Sequence, residues 1–163
     1  MARLLLALVA VLLCGACSST GAVPRPFPRP SSSSPDPVSG RLRPAEIVET
    51  ALSLTGVPYR NGGTDLSGFD CSGLVAYVFS RNRFSVPRTV AEQYALGRRV
   101  GRTGLEAGDL VFFSTEGPAV SHVGIVVAPD EFLHAPASNG VVRVERLSSP
   151  YWSSRFAGAR RLH

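Results

Sequence analysis

The chain has 163 residues, 44% of them hydrophobic, which is enough for a single core of ordinary size. All 17 basic residues are arginine, and against 12 acidic residues they leave a net charge of +5. That excess is modest and scattered, with no aromatic interleaving, so it suits an anionic cell-wall or lipid surface and argues against nucleic acid as a partner.

In chain order, Arg3 precedes an unbroken apolar run from Leu4 to Leu13. The run is too short for a bilayer, which needs roughly 20 apolar residues, and reads as the core of a secretory signal. Gly15 and Ala16 then stand before Cys17 in a stretch that resembles a bacterial lipobox, whose cysteine is acylated and becomes the mature N-terminus. Cys14 occupies the place where such boxes usually have leucine; an ordinary cleaved signal and an uncleaved anchor are the alternatives. Ser18, where an aspartate would retain a lipoprotein at the inner membrane, favours the outer membrane in a two-membrane cell. The expected organisation is a signal over 1–16, a lipidated Cys17 opening a tether rich in Pro and Ser over 17–40, and one domain over 41–163.

Within that domain, Pro44 to Leu54 reads as a helix with proline near its start, a stripe of Ile47, Val48, Ala51 and Leu52, and Gly56 after its end. A glycine-rich loop leads to Gly68–Phe79, where an apolar-periodic helix places Leu74, Val75, Val78 and Phe79 on one inward face. Thr89 and Glu92 form a capping box for a short helix. From Asp109 onward LVFF, HVGIVV, EFLHA and VVRVERL read as strands separated by turn residues. Helices first and strands afterwards predict an α+β domain built on an antiparallel sheet.

Chemistry concentrates at Cys71, in the first turn of the second helix. Unpaired N–H groups and the helix dipole there favour a thiolate. With Cys14 removed and Cys17 lipidated, Cys71 has no disulfide partner in an oxidising compartment, which marks it as reactive; a buried small hydrophobe is the alternative. A cysteine nucleophile needs a base and a group to orient it. His163 is the last residue, whereas His122 and His134 fall on consecutive strands that can set their rings side by side. His122 shares its face with Gly124 and Val126, and Gly124 is expected to leave room above the sheet beside the imidazole. A metal held by Cys71, His122, His134 and Asp70 is the competing use, but no closely spaced ligand pair of the zinc type occurs.

Five ordered motifs, VPYRNGGTDLSGFDCSGLVAYVF, VPRTVAEQY, AGDLVFF, SHVGIVV and FLHAP, resemble the NlpC/p60-type cysteine peptidases of bacterial cell walls over about 46–162. The tail PYWSSRFAGARRL resembles that of the murein endopeptidase lipoproteins within that family. The resemblance implies a papain-like core with the nucleophile helix packed on an antiparallel sheet. It implies Cys71 as nucleophile, His122 as general base and then acid, and His134 as the group that orients His122. It matches Tyr59 to a tyrosine near the nucleophile, although a packed loop tyrosine is the plainer reading. Asp70 and Ser72 would bind substrate polar groups, or Asp70 would cap the helix. Arg88 would meet a stem-peptide carboxylate, or form a structural salt bridge.

The implied activity is a lipid-anchored peptidoglycan endopeptidase on the periplasmic side of the cell envelope, cutting the D-alanyl–diaminopimelate cross-link. The γ-D-glutamyl–diaminopimelate bond is the alternative, followed by acyl or amide transfer and by wall binding without catalysis. Expected partners are peptidoglycan and, through the N-terminal lipid, the membrane. A monomer without metal or cofactor is expected.

Overall fold

Proline at the first helical position and the stripe Ile47, Ala51, Leu54 dictate how the domain begins. The computed structural model describes residues 42–137 and 140–162. Cys17, the signal, the tether and His163 therefore lie outside the described residues. Helix α1 spans Pro44–Leu52 and buries Ile47 and Ala51. It ends two residues before the sequence reading, and Leu52 is exposed while Leu54, in the following turn, is buried. The chain then reverses at Gly56, whose φ of 90° is a left-handed conformation that glycine adopts without steric cost.

Strands β1 (Thr64–Asp65) and β2 (Gly68–Phe69) form a small hairpin. Helix α2, Cys71–Arg81, follows directly. Leu74, Val75, Val78 and Phe79 are fully buried, as their spacing requires. The loop that enters the hairpin is pressed onto α2 at Gly73, where a Cβ would stand 2.0 Å from the Gly63 carbonyl oxygen. Helix α3, Val90–Ala95, starts with the capping box expected at Thr89 and Glu92.

The remaining strands are β3 (Arg98–Val100), β4 (Leu110–Phe113), β5 (His122–Ala128), β6 (Glu131–His134), β7 (Arg143–Arg146) and, after the short helix α4 (Pro150–Ser153), β8 (Phe156–Arg161). They make one antiparallel sheet in the order β3-β8-β4-β5-β6-β7. Strand alternation divides the core in two. Leu110, Phe112, Val123, Ile125 and Leu133 face α1 and α2. Val111, Phe113, Val126, Phe132 and Ala159 face the other way, under Trp152 of α4.

Strand β8 enters between β3 and β4 although its sequence, FAGARR, carries two arginines. Burying them requires partners. Arg161 donates from Nε and Nη2 to the two carboxylate oxygens of fully buried Asp109, each at 2.7 Å, and from Nη2 to the Gly104 carbonyl. Arg160 lays its guanidinium over the Tyr94 ring, 4.1 Å from the centroid. Bidentate pairing of this kind fixes direction as well as charge. It ties the C-terminal strand to the turn before β4, and β4 in turn pairs with β5, which carries His122.

Candidate active site

Asp70 stops the β2 backbone from running on and opens α2. With φ −91° and ψ 175° it is extended, and its carboxylate accepts from the Gly73 N–H at 2.7 Å, an N-cap. The next residue is Cys71, so the thiol is delivered at the positive end of the helix. Backbone N–H groups of Val123, Ser72 and Cys71 itself favour the thiolate. Val123 follows His122 at the start of β5, so the thiol lies near the strand end that carries that histidine. Burial nevertheless dominates and pushes the thiol up from its ordinary value, with Asp70 adding to the rise. The helix start was expected to favour the thiolate, and desolvation outweighs it.

The strands bring the two histidines together. His122 opens β5 and His134 closes β6, and the diagonal between same-face positions sets His122 Nε2 2.8 Å from His134 Nδ1. Both rings are buried, His134 completely. Aromatic groups surround them: Trp152 stacks on His122 with centroids 5.4 Å apart and meets His134 edge-on at 5.0 Å. Phe132 lies 5.0 Å from His134. Desolvation holds both imidazoles well below the usual histidine range; mutual repulsion adds to this at His122, and Glu145 opposes it at both. Each ring is therefore neutral near pH 7.

Space beside His122 is not provided by Gly124. A Cβ at that glycine would stand 2.5 Å from Phe132 Cδ2 and 2.9 Å from the Leu133 carbonyl oxygen. The missing side chain instead lets the Phe132 ring cover the strand, which dries the histidine pair.

Tyr59 is held by backbone contacts: its N–H donates to Gly140 O at 2.8 Å, and it bridges to Phe69 of β2. Burial first, then the nearby Cys71 and Asp70, push its phenol up, so the hydroxyl remains a proton donor. Arg88 donates to Asp70 Oδ1 at 3.0 Å and Oδ2 at 2.5 Å, and to Ser72 Oγ at 2.8 Å. Asp70 thus serves as cap and as anion partner of Arg88, and its carboxyl lies below the usual range: burial raises it, but Arg88 and the Gly73 N–H outweigh that. Arg88 has a structural salt bridge, and Ser72 is buried within it.

Three contributors escaped the sequence reading. Gln93, buried on α3, donates to the carbonyls of Ser72 and Pro87 at 3.0 and 2.8 Å and so braces the start of α2. Trp152 covers the histidines from α4. Glu145 on β7 accepts from Arg143 Nε at 2.5 Å and from Trp152 Nε1, and its Oε1 lies 3.5 Å from His134 Nε2. Only the tail motif containing PYW pointed toward this region. A cleft of about 360 Å³ opens beside His122, with Thr115, Arg143, Glu145, Tyr151 and Trp152 among its walls. A second cleft, between Thr64, Tyr77 and Phe84, has no cysteine, histidine or carboxylate in its lining.

Comparison with known proteins agrees with this architecture. Residues 56–161 match the model of the NlpC/P60 family. The chain is 39% identical over 120 residues to the murein DD-endopeptidase MepS/murein LD-carboxypeptidase of Escherichia coli K12, covering 72% of this chain and 62% of that protein. It is 38% identical over 120 residues to the gamma-DL-glutamyl hydrolase of Bacillus subtilis, covering 71% of this chain and 29% of the relative. The chain therefore spans less than two thirds of the length of either relative. The crystal structure of an NlpC/P60 family protein from Bacillus cereus superposes with a TM-score of 0.70 at 30% identity, covering 74% of this chain and 40% of that one. Five ordered motifs, the helix-on-antiparallel-sheet α+β architecture and a match across most of the described domain lead to one conclusion: the chain belongs to the NlpC/P60 family.

Proposed function

We propose that this protein is a peptidoglycan endopeptidase with Cys71 as nucleophile, His122 as base and His134 as the group that orients it. The observation that carries the reading is the hydrogen-bonded histidine pair, 2.8 Å apart, at the strand end where the α2 thiol is seated. Because the thiol is raised and the imidazole lowered, the resting pair is neutral. The proton then moves from Sγ to His122 Nδ1 as the sulfur attacks the scissile carbonyl carbon. The oxyanion accepts from the Cys71 backbone N–H, with the Tyr59 hydroxyl as a further donor. His122 next protonates the departing amine as the C–N bond breaks, leaving a thioester on Cys71. Water, deprotonated by His122, cleaves that thioester and restores the thiol.

Two bonds compete as substrate. The D-alanyl–diaminopimelate cross-link is favoured, in keeping with the Escherichia coli relative, named a murein DD-endopeptidase. The γ-D-glutamyl–diaminopimelate bond is the second reading; the Bacillus subtilis relative is named a gamma-DL-glutamyl hydrolase, which matches only the γ-glutamyl side of that bond. Mass spectrometry of purified muropeptides after digestion separates them. Conversion of cross-linked dimers to monomers supports the first; cleavage inside monomer stems overturns it in favour of the second.

Residues 41–163 would form the peptidase domain, following a signal over 1–16 and a tether over 17–40. Acylation at Cys17 would hold it to the periplasmic side of the outer membrane, within reach of an immobile polymer. Cys17→Ala should move the protein from the membrane to the soluble fraction; continued membrane association contradicts the anchor.

A further inference from the structure

The geometry points to Glu145 as a positioning residue that fixes the tautomers of both histidines through His134. This rests on His122 being the base proposed above. His134 Nε2 is completely buried and has no hydrogen-bond partner among the described residues, yet Glu145 Oε1 stands 3.5 Å away. That is long for a hydrogen bond, but a buried N–H without an acceptor is costly, and catalytic contacts tighten when substrate binds. The carboxylate is itself held in place by Trp152 Nε1 on Oε2 and by Arg143 Nε on Oε1. Strand register explains the alignment. Glu145 pairs with Phe132 and Arg143 with His134, so Glu145 is the same-face diagonal neighbour of His134, on the side away from His122.

Two arrangements of the protons are available to the neutral pair. If His134 carried its proton on Nδ1, it would donate to His122 Nε2 and push the His122 proton onto Nδ1, the nitrogen needed as base. It would also leave a bare Nε2 lone pair facing a carboxylate. If His134 carries its proton on Nε2, that N–H is directed at Glu145. Nδ1 of His134 then accepts from His122 Nε2–H, and His122 Nδ1 presents its lone pair. One carboxylate thus selects the productive form of two rings, and its charge stabilises the imidazolium that forms during catalysis. The charged and titratable groups around the pair are Cys71 at the start of α2, Arg143 and Glu145 on β7, and Tyr151 of α4 in the same cleft.

The test compares the wild-type chain with Glu145→Gln, a variant that keeps shape but can accept or donate at the same place. Long-range ¹H–¹⁵N spectra, assigned with single-histidine variants, should show both rings as Nε2–H in the wild type and a mixture at His134 in Glu145→Gln. On muropeptides, kcat should fall about tenfold with KM little changed, less than the roughly hundredfold to ten-thousandfold of direct proton-transfer catalysis, because Glu145 acts through His134. The acid limb of kcat should move to lower pH, because a negative charge that favours the imidazolium is gone. Glu145→Asp should recover part of the rate. An Nδ1–H tautomer at His134 in the wild type overturns the inference, as do unchanged spectra and kcat in Glu145→Gln. The spectra stand apart from activity: Nε2–H rings that change in Glu145→Gln, in a protein that cuts no peptidoglycan, support the inference and refute the peptidase reading.

Discussion

Burial of His122 and His134 as neutral rings makes stability fall on mild acidification. Unfolded, each imidazole titrates at its ordinary value of about 6.5; folded, desolvation by Trp152 and Phe132 keeps both well below it. A group with a depressed folded value contributes stability that is complete above the unfolded value and is lost as pH falls toward the folded one. Below 6.5 the unfolded chain takes up protons that the native pair refuses. Each histidine then costs about 1.4 kcal/mol at pH 5.5, so the pair lowers unfolding free energy by about 2.7 kcal/mol between pH 7.5 and 5.5. Urea unfolding at the two pH values measures this directly. His134→Gln removes one of the two groups and should halve the loss to about 1.4 kcal/mol. A wild type equally stable at both pH values, or the same loss in His134→Gln, would refute the neutral buried pair.

Three further substitutions probe the site. Gly73→Ala drives a methyl group to 2.0 Å from the Gly63 carbonyl and 3.0 Å from the Asp70 carboxylate that caps α2. Overpacking against backbone should cost about 2 kcal/mol or more in chemical denaturation, and an unchanged midpoint would contradict the close approach. His122→Ala should lower kcat by about a hundredfold or more, and His134→Ala by less, since it acts through His122. Steady-state rates on muropeptides in the reverse order would exchange the two roles.

Much of this arrangement was legible because it is local. The spacing of Leu74, Val75, Val78 and Phe79 gives α2 its buried face, and Thr89 with Glu92 gives α3 its start. Consecutive strands bounded by turn residues bring His122 and His134 together across a single hairpin. What escaped depends on partners distant in sequence. No strand was read at FAGARR, whose place in the sheet depends on Asp109, 52 positions before Arg161, neutralising that guanidinium. Glu145 and Trp152 carry no pattern of their own; both become part of the site only when β7 and α4 close over the histidines. Gly124 was legible as a place without a side chain, but not that Phe132, on the neighbouring strand, fills it. At Cys71 the helix start was evident, while the burial that raises the thiol comes from the packed sheet.

The central claim, that Cys71 cuts peptide bonds in peptidoglycan, is tested most directly by incubating purified sacculi with the wild-type chain and with Cys71→Ala, and following released muropeptides by mass spectrometry. The account predicts new stem-peptide termini with the wild type and none with Cys71→Ala, whose thermal unfolding should remain that of a folded domain. Equal release by a folded Cys71→Ala, or none by the wild type, would contradict it.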